Sequence, residues 1–182
     1  MTSQPGDYIG QGLNQTFTPA DGEFSAALTY GSSDSVTVSF DNFNQSSSSQ
    51  DSIFWDLVFA APSGQTLAPG TYMNATTASF PSSTTPGLDI SGEGRECNTV
   101  TGQFVVNEAV YGASGNVESF SADFQQHCEG AMPALLGQIR YNTPDSVPEP
   151  SNVAGLFLLG LGLKVAKLRP SATRWLKHFP AA

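Results

Sequence analysis

Lysine is missing from the first 163 residues, and Arg95 and Arg140 are the only basic side chains before Pro150. All 16 acidic residues lie at or before Glu149, so this body carries a net charge of −14. Such a surface repels phosphate backbones, which argues against nucleic acid as a partner. Cysteine is scarce as well. Cys97 and Cys128 are the only two, and no Cys-x-x-Cys spacing marks a redox pair. No Gly-x-Ser-x-Gly elbow is present to expose a nucleophilic serine, and no glycine-rich loop to cradle phosphate. No cofactor is implied. The opening Met1-Thr2-Ser3-Gln4-Pro5-Gly6-Asp7 lacks a basic start and an apolar core, so no signal peptide is visible in it.

What is present is Gly, Ser, Thr, Asn, Phe and Val, a composition suited to short strands joined by turns. Period-two alternation puts Phe24, Ala26, Leu28 and Tyr30 on one strand face, and Val36, Val38 and Phe40 on the next. Gly31-Ser32-Ser33-Asp34 reads as the hairpin turn between them, and 42–51 as a polar loop. Residues 53–61 are apolar on both faces, which predicts a central strand covered on both sides. Pro69-Gly70 predicts a type II turn with a strand starting near Thr71. Residues 103–111 and 117–125 flank Gly112-Ala113-Ser114-Gly115-Asn116, a hairpin signal, with Phe120, Ala122 and Phe124 inward and Ser119, Ser121 and Asp123 outward. Residues 135–141 supply a last strand. About eight strands and no amphipathic helix predict an all-β, two-sheet antiparallel sandwich or jelly roll. The expected divisions are an extension at 1–20, the sandwich at 21–143, a linker at 144–150, an apolar anchor at 151–169 and a basic tail at 170–182.

Cys97 precedes the 103–125 hairpin and Cys128 follows it, where the outer ends of two antiparallel strands lie side by side. A disulfide is expected there. Closing a loop of that length is worth about 3.5 kcal/mol by the loop-entropy estimate. Two reduced, buried cysteines are the alternative. His127, Cys128 and Glu129 are adjacent, but strand neighbours point to opposite faces, so they do not make a metal site by themselves. Asp89, Glu93 and Glu96 lie among Gly87, Gly92 and Gly94 and are weak calcium candidates, without the ligand alternation of an EF-hand. Paired carboxylates for glycoside chemistry remain open, because their separation is a property of the fold. Trp55, Tyr72 and Tyr111 are the aromatics considered for stacking on sugars, with Trp55 the one expected in the core.

The tail reverses the charge, carrying Lys164, Lys167, Arg169, Arg174 and Lys177. Val153 to Leu163 is an uncharged run containing Leu156, Phe157, Leu158, Leu159, Leu161 and Leu163. Even if it extends to Leu168, a helix of this length is about 24 Å, short of the roughly 30 Å hydrocarbon core. Alone, the segment fits a core helix or a signal-type segment as well as a span.

Val147-Pro148-Glu149-Pro150-Ser151, then a Gly/Leu run, then basic residues, resembles the PEP-CTERM sorting signal of exopolysaccharide-producing bacteria. The resemblance implies a bacterial protein that is exported and then recognised by an exosortase-type membrane protease. It makes Pro148, Glu149 and Pro150 the sorting motif, the apolar run a transient helical membrane anchor, and Lys164, Lys167 and Arg169 its stop-transfer charges. Two prolines flanking Glu149 also keep that residue extended, as a protease substrate must be. The stretches Pro86 to Gly92, Cys97-Asn98, Gly102 to Phe104 and Phe124 to Gly130 resemble a module of secreted bacterial proteins. That second resemblance supports Cys97–Cys128 pairing and brings no activity with it. The resulting expectation is an exported, non-catalytic cell-envelope or matrix protein, structural or adhesive, contacting exopolysaccharide. The alternatives are a secreted polysaccharide hydrolase or lyase and a calcium-dependent surface module.

Overall fold

The computed structural model describes residues 1–29, 34–45, 51–79 and 82–143. Tyr30, the turn residues Gly31 to Ser33, the linker at 144–150 and its sorting motif, the anchor and the basic tail lie outside the described residues. Among the described residues nine strands form: β1 (Thr2–Ser3), β2 (Glu23–Leu28), β3 (Ser35–Asp41), β4 (Phe54–Ala60), β5 (Gly70–Thr77), β6 (Gly87–Gly92), β7 (Val100–Tyr111), β8 (Val117–Cys128) and β9 (Leu135–Tyr141). The class is all-β. Hydrogen bonds join the strands into one sheet ordered β1-β9-β8-β7-β5-β6-β4-β3-β2. The sheet curls until β2, at one end of the order, lies against β8 and β9 near the other. One join departs from the antiparallel expectation: β5 and β6 run parallel, and only through Thr76↔Gly87 and Thr77↔Leu88.

Alternation makes the interior. On one side, inward residues align in rows across four strands: Phe24, Phe40, Trp55 and Gly92, then Ala26, Val38, Leu57 and Ile90, then Leu28, Val36, Phe59 and Leu88. On the other, Phe104 stands beside Phe124, and Ala122 lies between Val106 and Ile139. Phe59 joins the two sides, its ring 5.3 Å from Phe104, 5.4 Å from Phe120 and 6.1 Å from Phe124. Glycines make room for the largest rings. A Cβ on Gly92 would lie 2.5 Å from Trp55 Cδ2, and one on Gly137 2.5 Å from Phe124 Cζ.

Several expectations change. Strand β4 lies inside the order, but its second face is only partly covered: Trp55, Leu57 and Phe59 are buried, whereas on the other face Ala60 is buried, Val58 half-buried and Phe54 exposed. Apolar residues on both faces do not say which face finds a neighbour. Gly70 is not left-handed, so no type II turn precedes β5; Gly70 already pairs with Val106. Ser119 and Ser121, expected outside, are buried at 8% and 3% exposure, Ser119 donating to the Glu108 carboxylate, whereas Asp123 is exposed as expected. Residues 1–20, expected as an extension, belong to the compact unit Met1–Pro144. Strand β1 pairs with β9, and Ile9 is fully buried in the core. Among the described residues, no helix is long and apolar enough to cross a membrane.

Candidate functional site

Cys97 and Cys128 come together as the hairpin argument requires, with Cα atoms 5.2 Å apart and the sulfurs at 1.90 Å. Around them the polar residues do structural work. Strand β5 leaves β6 after Leu88, so Ile90 has no strand on that side. The side chain of Gln126, 1% exposed, substitutes for one: Ile90 N donates to Gln126 Oε1 and Gln126 Nε2 donates to Ile90 O, both at 2.8 Å. The same Nε2 lies 3.4 Å from Cys97 Sγ. Glu129 closes the other flank. Its carboxylate accepts from Asn98 N at 2.7 Å, Asn98 Nδ2 at 3.1 Å, Thr99 N at 3.3 Å and Thr99 Oγ1 at 3.0 Å. The Asn98 amide, with help from Thr99, holds that carboxyl below its ordinary pKa.

The calcium candidates have different environments. Glu93 and Gly94, both with positive φ, form a two-residue turn closed by reciprocal 3.0 Å bonds between Gly92 and Arg95. The Glu93 carboxylate is engaged by Phe54 N at 2.9 Å. Asp89 sits opposite Val58 on the outer face of β6, 6% exposed, with Oδ1 unpartnered. Burial, with the charge of Glu96 added, pushes its carboxyl up to about 6. Among the described residues no three His, Cys, Asp or Glu side chains are grouped to hold a metal ion. His127 and Asp123 have separate partners: His127 Nε2 meets Gln125 Nε2 at 3.0 Å, and Asp123 Oδ2 accepts from Asn107 Nδ2 at 2.9 Å.

An opening with ligand dimensions lies elsewhere, where β2 and β9 approach each other without pairing. Strand β1 covers β9 only at Leu135 and Leu136, and β2 is the last strand of the order. Between them a cleft of about 630 Å³ opens, within the range of small-molecule sites. Its apolar wall is Phe17, Phe24, Phe40, Leu57 and Ile139, with Trp55 and Tyr141. The Phe17 ring stacks on Phe40 at 4.6 Å, and Phe24 tilts on Phe40 at 4.8 Å. Among the described residues Glu23 is the only carboxylate lining the cleft and Arg140 the only guanidinium, with Thr16, Thr18, Gln138 and Asn142 as neutral polar groups. The loop over it is pinned by Asp21, whose Oδ2 accepts from Thr18 N at 2.8 Å and Thr18 Oγ1 at 2.7 Å. Those bonds lower the Asp21 carboxyl pKa. Trp55 is 1% exposed, and its Nε1 is a buried donor with no acceptor.

The sugar-stacking candidates other than Trp55 serve the frame instead. Tyr72 lies flat on Phe104 at 4.7 Å, with its hydroxyl donating to Ala68 O at 2.9 Å. Tyr111 Oη donates to Leu67 O at 2.7 Å, and burial pushes its pKa up to about 12. Sequence reasoning did not find the cleft. Its lining runs from Met1 to Asn142, and the only local signal was the surplus of Phe around 17–24 and 40.

Fold and cleft together define an all-β domain with an aromatic-walled opening. Comparison with protein-family models, curated proteins and solved structures finds no match to this chain.

Proposed function

We propose that this chain is an exported protein of the bacterial cell envelope or extracellular matrix, with a binding domain rather than a catalytic one. The curled sheet works as a two-layer sandwich that presents the cleft to a matrix component, exopolysaccharide being the partner this reading names. Before release, the apolar run from Val153 holds the chain at the membrane until an exosortase-type protease acts at Pro148-Glu149-Pro150. The observation that carries the non-catalytic reading is the cleft itself. Hydrolysis of a glycosidic bond uses two carboxyl groups roughly 5 to 10 Å apart across the substrate. Among the described residues Glu23 is the one carboxylate in the lining, and the carboxyl with the raised pKa, Asp89, lies outside it. Joined cysteines support export to an oxidising compartment. A calcium-dependent module is less well supported, since Glu93 already accepts the Phe54 amide.

Intact mass and cell fractionation in the native host test the export reading, with wild type set against Glu149→Ala. The expected result is a wild-type mass cut near Pro150, loss of the cut in the variant, and a bridged Cys97–Cys128. An uncut, reduced, cytosolic wild-type protein would sink the proposal.

A further inference from the structure

Resting on the reading of the cleft as a binding site, we infer that it takes an uncharged molecule with an apolar ring and a hydrogen-bond-accepting oxygen, received by Trp55 Nε1. Trp55 lines the cleft, and Cδ2 and Cε3 are the ring atoms that stand nearest the Gly92 position, leaving the N–H away from that contact. A buried N–H without an acceptor costs about 1–3 kcal/mol, and a ligand oxygen removes that cost. The acceptor is a neutral carbonyl, ether or hydroxyl oxygen. Beside Trp55 on the inner face stand Phe40 and Leu57, and one neutral donor among hydrocarbon does not compensate a buried carboxylate. Charge selects in the same direction. Residues 1–143 hold 14 acidic and 2 basic side chains, a net −12, so anions are repelled on approach. Among the described residues the lining's charged side chains are Glu23 and Arg140, with the Met1 amino group beside them, so the selection against anions rests on the surrounding surface. Half-buried Phe17 and Phe24 supply the apolar wall on which a flat ring packs.

The test uses the full chain and 6-propionyl-2-(dimethylamino)naphthalene, a neutral ketone whose emission reports the polarity of its site. The ketone should bind saturably at one per chain. Trp55→Phe should weaken it about tenfold, as expected for one lost hydrogen bond, and leave its 6-propyl analogue, which lacks the carbonyl, unchanged. A second arm needs no variant: the anionic 6-(dimethylamino)-2-naphthoate should bind wild type at least tenfold more weakly than the ketone. Equal binding of ketone and naphthoate, or equal loss of ketone and propyl analogue in a folded Trp55→Phe protein, overturns the inference. Absence of saturable ketone binding also overturns it, while leaving export and processing untouched. Competition by cellohexaose separates the two readings. Displacement supports both; a bound ketone that the glucan does not displace keeps the ligand chemistry and removes neutral polysaccharide as the cleft's occupant.

Discussion

Gln126 is the residue whose role was least legible. A polar side chain in the inward register of β8 reads as a break in the pattern, yet it completes β6 where β5 departs. Gln126→Leu should destabilise the domain by about 3 kcal/mol, because two buried backbone groups lose their partners. The midpoint of urea unfolding measures this. Two carboxylates respond to pH in opposite directions. Asp89 rises from 3.8 to about 6 in the fold, so the native state binds more protons than the unfolded chain between those values. Its contribution therefore favours folding at low pH and turns unfavourable as pH climbs to about 6. Asp89→Asn should gain on wild type by roughly 2 kcal/mol between pH 4 and pH 7.5, read from unfolding curves at both values. Glu129 has a lowered pKa, so its stabilisation is present above the ordinary carboxylate pKa and fades as acid protonates it.

At the scale of elements, the β7–β8 hairpin could be read directly, since Gly112 to Asn116 is a turn sequence and both flanks alternate. Strand β1 could not, being two residues long and paired with Leu135 and Leu136, far along the chain. Whether β4 was covered on one face or two was equally hidden, because burial depends on what the neighbouring layer supplies. Disulfide and hairpin make one unit: Val100 lies opposite Cys128 at its open end. Cys97→Ala with Cys128→Ala should lower stability by about 3 kcal/mol, seen as a fall in Tm absent when wild type is reduced beforehand. Gly92→Ala tests how β6 accommodates the indole. With Trp55 Cδ2 at 2.5 Å and Phe54 O at 2.9 Å, the added methyl should cost about 1–3 kcal/mol by thermal melt.

For the whole molecule, the class was legible from composition and periodicity, while the curl and the cleft were not. Both depend on which distant strands meet, and period two cannot encode that. Phe59 tests the curl, since it touches rings from β7 and β8 across the interior. Phe59→Ala should remove about 3–5 kcal/mol, measured by chemical unfolding. The pairing of Thr2 with Leu136, and of Gln4 Oε1 with Ala134 N across 130 residues, has a temporal consequence. A ribosome releases β1 long before β9 exists, so the first strand must wait unpaired until the last emerges. Contacts of such separation slow folding, because loop closure comes before the pairing that offsets it. The sheet is thus unfinished throughout synthesis, and a nascent chain of this kind stays threadable until its end is made.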